Sequence, residues 1–169
     1  MQWASTYFVE VKGISAERAA GFAALFYIGI TAGRFISGFI TDKLGDRNTI
    51  RLGTAILACG VIALLIPVES YIVAFAAFLV IGFGCAPIYP CLIHSTPYNF
   101  EAENSGAIIG IQMASAYVGT TFIPPLFGIL SNAISFSIMP VYLLVFFVLM
   151  IVMVEVTFRI TQKEKNRDI

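Results

Sequence analysis

Charge is what this sequence has least of. Only 12% of its 169 residues are Asp, Glu, Lys or Arg, where an ordinary soluble domain has roughly 25%. With 59% hydrophobic residues and a mean hydropathy of +0.89, too little polar surface is left to coat a water-soluble globule. A soluble enzyme is excluded. Net charge is absent as well: ten Lys+Arg balance ten Asp+Glu, which gives nucleic acid no basic field to bind. Cysteine is scarce. Cys59, Cys85 and Cys91 sit inside apolar runs at spacings that suit neither a metal site nor a disulfide framework, and they read as small buried residues. The sequence also lacks a His-rich cluster, a Gly-x-Ser-x-Gly and an intramembrane Asp pair, so a membrane enzyme finds no support. No cofactor and no metal are implied.

What is present is a series of long uncharged runs. Residues 52–68, 70–93, 105–131 and 133–154 carry no charge, and between Arg18 and Asp42 only Arg34 interrupts. A helix needs about 20 mainly apolar residues to cross a hydrocarbon core of about 30 Å. Five spans are predicted, near 19–41, 50–68, 71–94, 105–131 and 137–158. Barrel strands would alternate polar and apolar over about ten residues, which these runs do not. An all-α membrane bundle is the expected fold, since helices satisfy their own backbone in lipid. Residues 1–11 are apolar and aromatic but too short to span. They lack a basic leader and a cleavage site, so they are not a signal peptide. They read as the end of a helix whose beginning is absent. Gly13 should stop that helix and Ser15 should cap the next.

Seven basic residues, Lys43, Arg47, Arg51, Arg159, Lys163, Lys165 and Arg167, fall on one side of these spans, while Lys12 and Arg18 fall on the other. The positive-inside rule predicts that residues 43–51 and the tail 159–169 are cytoplasmic. The loop at 96–104 shares that side although it carries Glu101 and Glu103 and no basic residue. Gly29, Gly33, Ser37 and Thr41 recur every four residues on the first span, and Gly106, Gly110 and Ala114 do so on the fourth. Such stripes let helices approach closely. Residues 141–154 contain no Gly, Ala, Ser or Thr, which predicts an outer helix facing lipid.

Between the first two spans runs Gly38-Phe39-Ile40-Thr41-Asp42-Lys43-Leu44-Gly45-Asp46-Arg47. Gly45 permits a tight reversal, Asp42 can accept hydrogen bonds from a helix N-terminus, and Arg47 can pair with carboxylates or phosphates. The pattern Gly-x-x-x-Asp-x-x-Gly-x-Arg resembles the loop signature of the major facilitator superfamily, found after its second and eighth helices. Three stretches favour the second location. Gln2-Trp3-Ala4-Ser5-Thr6-Tyr7 resembles the end of helix seven, and Gly82-Phe83-Gly84-Cys85-Ala86-Pro87-Ile88-Tyr89-Pro90 resembles helix ten. Gly110-Ile111-Gln112-Met113-Ala114, with Gly119 and Pro124-Pro125-Leu126-Phe127-Gly128, resembles helix eleven. Together they are similar to the bacterial fucose:proton symporter branch. The resemblance implies the tail of helix seven followed by helices eight to twelve. Met1 would then be an artificial start within a longer gene or the start of a truncated one. Its implied partners are the lipid bilayer, a small solute and the missing N-terminal half. The implied activity is alternating-access transport of a sugar or similar solute with a proton, in the bacterial cell membrane. A truncated, non-transporting membrane subunit is the alternative.

Candidate residues follow, each with a plainer role open to it. Arg34 is the only charge well inside a span, the place for an anionic solute group or a proton-coupled pair, unless it snorkels to the interface. Trp3 and Tyr7 share a helical face and could stack on a sugar or form an interfacial belt. Tyr27, Tyr89, Gln112 and Tyr117 are polar-tipped residues that the family places near the cavity; interhelical hydrogen bonds would also explain them. Gly38, Asp42, Gly45 and Arg47 form the expected conformational-switch loop. Pro87 and Pro90, and Pro124 and Pro125, are expected helix breaks, either gating points or fixed kinks. His94 closes the third span and could sense protons, and Glu155 should pair with Arg159 four residues on. No Asp or Glu lies mid-span, so either a proton-carrying carboxylate lies in the missing part or the coupling is different.

Overall fold

The computed structural model describes residues 3–66, 71–100 and 102–165; Gln2, Glu101, Arg167 and the end of the second predicted span lie outside them. Seven helices and no strand occur among the described residues: α1 (Ala4–Lys12), α2 (Ala16–Leu44), α3 (Asp46–Leu65), α4 (Tyr71–Cys85), α5 (Ile88–Asn99), α6 (Ala102–Ala133) and α7 (Met139–Lys165), with a 3₁₀ turn at Phe136–Ile138. Five segments are long and apolar enough to cross a membrane, α4 and α5 together making the third. All five overlap the spans predicted above; the first, fourth and fifth run a few residues further at both ends, the second starts earlier and the third ends later.

Two glycines at positive φ punctuate the chain. Gly13 ends α1 at φ 63°, and Gly45 at φ 76° is the whole connection between α2 and α3. Only glycine takes such angles without strain. The Gly45 N–H donates to Thr41 O at 2.9 Å, and its own carbonyl accepts the Thr49 N–H (3.1 Å) and hydroxyl (2.9 Å). Ser15 stands at the N-cap of α2 as expected, but its side chain makes no capping bond.

In lipid, helices associate by close packing rather than by escape from water. Here α4 is the central helix. Gly82 and Gly84 are two positions apart, so they face opposite sides of it. On one side Gly82 lies against the Phe26 carbonyl of α2, and Gly29 and Gly33 of α2 lie against the Leu79 and Phe83 backbone. On the other, Gly84 meets Leu57 and Gly53 of α3, while Gly60 of α3 meets Ile81 and Ala77. The first predicted stripe is therefore a helix crossing, continued by Thr41, whose hydroxyl lies 3.7 Å from Cys91 Sγ on α5. The second is not used in this way. A Cβ at Gly106, Gly110 or Gly119 of α6 would meet nothing within 4 Å.

The stub α1 is wedged into the bundle. Ala4 and Phe8 are fully buried and Tyr7 nearly so, with Phe8 packed 5.1 Å from Phe78 of α4. Helix α7 is largely exposed along Val141, Val145, Val148, Val152 and Val156, as its composition predicted. One reading needs correcting. Cys91 is buried and Cys85 half-buried, but Cys59 is exposed, because it lies on the side of α3 turned away from α4.

Candidate functional site

The third span is broken where its prolines fall. α4 ends at Cys85 and α5 starts at Ile88. Pro87 sits at the N-cap of α5 and Pro90 in its first turn, where a missing N–H costs nothing. Pro124 and Pro125 behave differently, since α6 runs through them to Ala133. Nearby carbonyls are instead held from other helices. Trp3 Nε1 donates to Pro124 O (2.9 Å) and the Tyr142 hydroxyl to Ile123 O (3.0 Å). The Trp3 ring also covers Gly128 and packs against Phe127 and Phe136. Trp3 is thus engaged in packing against α6 and the 3₁₀ turn, and Tyr7 is buried beside Phe8.

The other polar candidates stand differently. Arg34 is exposed on α2 and makes no side-chain hydrogen bond or ion pair among the described residues; only its carbonyl is used, by Ser37. It follows Gly33, which packs on Phe83 and Ala86, so it lies level with the α4–α5 break. It is ten residues before Leu44, about 15 Å from that helix end. Tyr27 on α2, Tyr89 on α5 and Tyr117 on α6 are exposed too. Gln112 is half-buried. The Thr96 hydroxyl shares its one proton between Leu92 O (2.9 Å) and Gln112 Oε1 (3.3 Å), which links α5 to α6.

At the Gly45 turn the sequence reading is partly displaced. Gly38 is exposed with open space around it. Asp42 caps nothing. It lies in the last turn of α2, exposed and without a partner among the described residues, because α3 opens four residues later at Asp46. The side chain in use is Asp46, whose Oδ2 lies 2.8 Å from His94 Nδ1 and ties α3 to α5. Arg47 reaches α7, donating to Gln162 Oε1 (2.8 Å) and lying 5.1 Å over the Phe158 ring. Arg51 Nη2 donates to both oxygens of Glu155 at 2.9 and 3.0 Å, whereas the expected Arg159–Glu155 contact is longer, 3.8 Å. The Asp46–His94 and Arg51–Glu155 pairs were not foreseen. Their signal in the sequence was weak, namely that each pair falls at the same end of antiparallel spans. No group of three or more His, Cys, Asp or Glu could hold a metal among the described residues.

Five segments long and apolar enough to cross a membrane, the third of them broken at its prolines, fit a multi-pass membrane protein. The chain belongs to the Major Facilitator Superfamily, whose family model matches residues 1–169. It is 25% identical over 144 residues to an uncharacterized MFS-type transporter of Yersinia pestis, covering 82% of this chain and 35% of that protein. It is 28% identical over 151 residues to a probable nitrate/nitrite antiporter of Thermus thermophilus, covering 75% of this chain and 32% of that one. The chain therefore spans about a third of the length of these curated relatives. No solved structure matches. The family points to transport rather than enzymatic chemistry.

Proposed function

We propose that the chain is the C-terminal portion of a twelve-helix carrier, from the end of helix seven through helix twelve, that moves a small organic solute across the cell membrane by alternating access. The observation that carries this reading is Arg34. A charge at that depth costs about 2.5–3.5 kcal/mol on insertion scales unless it is paired or hydrated. Arg34 has no partner among the described residues and is flanked along α2 by exposed Tyr27. A water-filled path, completed by a second six-helix half, gives it a setting that lipid does not. On this reading Gly106, Gly110 and Gly119 are left open for that half to approach, and Asp42 is free to engage it at the cytoplasmic face. The Gly45 turn and the tail lie in the cytoplasm.

A sugar-like solute carried with a proton is the finer reading. Its support is the likeness to the fucose:proton symporter branch and the exposed rings of Tyr27, Tyr89 and Tyr117, which can stack on a pyranose. Arg34 also favours a second reading, an anionic solute, in keeping with the name of the Thermus relative. The test is uptake by the full-length transporter carrying Arg34→Gln or Arg34→Lys. Gln should lower saturable uptake at least tenfold at unchanged membrane abundance, with partial recovery by Lys. Uptake kinetics unchanged by Gln would make Arg34 a structural, snorkelling residue.

A further inference from the structure

A groove runs between α3 and α7. It has a volume of about 240 Å³ and is lined by Ile50, Thr54, Ala58, Phe147, Ile151 and Val154. From Arg51 to Ala58 it follows α3 for about 10 Å. One end is apolar and points along the helices toward the middle of the span; the other is closed by Arg51 and Glu155.

Charge at that closed end is not balanced. Arg51 spends only Nη2 on Glu155, which leaves Nη1 and Nε to donate elsewhere, and its side chain is 50% exposed. Arg159 stands 3.8 Å from the same carboxylate with its side chain 79% exposed. Arg47, one turn before Arg51 on α3, also bears electrostatically on Glu155 while its Nη1 is held by Gln162. Three guanidinium groups thus surround one carboxylate. Asp46, the next acid on this end, has its Oδ2 turned to His94 Nδ1 at 2.8 Å. An apolar groove that ends in surplus guanidinium has the polarity of an amphiphile lying along the helices.

We propose that this groove holds one acyl chain of an anionic phospholipid, whose phosphate is bound by Arg51 and Arg159. Both features are needed. A free anion would engage the arginines and ignore the groove, and a zwitterionic lipid would use the groove without gaining from the surplus charge. Basic residues at a membrane face attract anionic headgroups, and guanidinium matches phosphate oxygens in pairs.

The experiment is native mass spectrometry of the purified chain in mild detergent. It is offered equal amounts of phosphatidylglycerol and phosphatidylcholine with identical acyl chains. The wild type should retain phosphatidylglycerol at least fivefold over phosphatidylcholine. Arg159→Gln leaves the Arg51–Glu155 pair intact and should bring that ratio close to one. Ala58→Leu fills the groove and should lower retention of both lipids several-fold with the arginines unchanged. Millimolar inorganic phosphate should not displace the bound lipid. Equal retention of the two lipids by the wild type overturns the proposal, as does an Arg159→Gln ratio equal to the wild type's. Retention unaffected by Ala58→Leu, or full displacement by inorganic phosphate, would reduce the site to an anion contact on exposed arginines.

Discussion

Gly84→Ala should unfold this bundle more easily than any exposed-face alanine. A Cβ at position 84 would meet the Leu57 amide nitrogen, Gly53 O at 2.7 Å and Leu57 Cα at 2.8 Å. All three are backbone atoms of α3, so no side-chain rotamer can yield and the two helices must separate. Overpacking of this kind costs typically 1–3 kcal/mol, and rigid backbone on both sides puts it near the top of that range. Alanine in a helix interior recovers about 0.8–1 kcal/mol of propensity. The net loss is about 2 kcal/mol, roughly a 30-fold shift in the folding equilibrium. Gly110→Ala is the matched control. Nothing lies within 4 Å of its new Cβ, so only the propensity gain remains and the chain should become slightly more stable. Unfolding by an anionic detergent titrated into non-ionic micelles, followed by circular dichroism, measures both. Equal midpoints for the two variants would refute the close crossing of α3 and α4.

Trp3→Phe keeps a ring over Gly128 but removes the 2.9 Å bond to Pro124 O; stability in the same titration should fall by about 1 kcal/mol. In a full-length transporter, Asp42→Asn should lower uptake several-fold with little change in membrane abundance. One charge at a helix end contributes about 0.3–2 kcal/mol to such a balance, and wild-type kinetics would leave Asp42 as a plain surface residue. Single cysteines at positions 12 and 165, in a chain lacking Cys59, Cys85 and Cys91, should react with an impermeant thiol reagent in intact cells at 12 and not at 165. The opposite pattern would invert the topology.

The spans, the Gly45 reversal and the Gly13 stop were legible because lipid imposes long apolar runs and positive φ imposes glycine. What the sequence could not tell apart were two stripes of the same spelling. Gly29-x-x-x-Gly33 is filled by α4, and Gly106-x-x-x-Gly110 is open; the difference lies in which helix is adjacent, a non-local fact. The proline pairs were equally ambiguous. Pro87 falls at a helix start and breaks the span, whereas Pro124 and Pro125 lie inside a helix whose neighbouring carbonyls are held by Trp3 and Tyr142. At the candidate site, Arg34 stood out in the sequence as the lone mid-span charge, and it is exposed in the structure. The half-burial of Trp3 against α6 and the burial of Tyr7 depend on tertiary contacts that no local pattern encodes. The side-chain pairs at the Gly45 end join residues 48 and 104 positions apart, so no i,i+4 rule reaches them.

The most direct measurement is solute uptake into proteoliposomes containing this chain alone, and containing it together with a separately expressed N-terminal six-helix half and the start of helix seven. If the exposed faces of α2, α5 and α6 form one wall of a path that the other half completes, the chain alone gives no saturable, stereoselective uptake and co-reconstitution restores it. Saturable, stereoselective uptake by the chain alone would contradict that division and make it a self-sufficient small transporter.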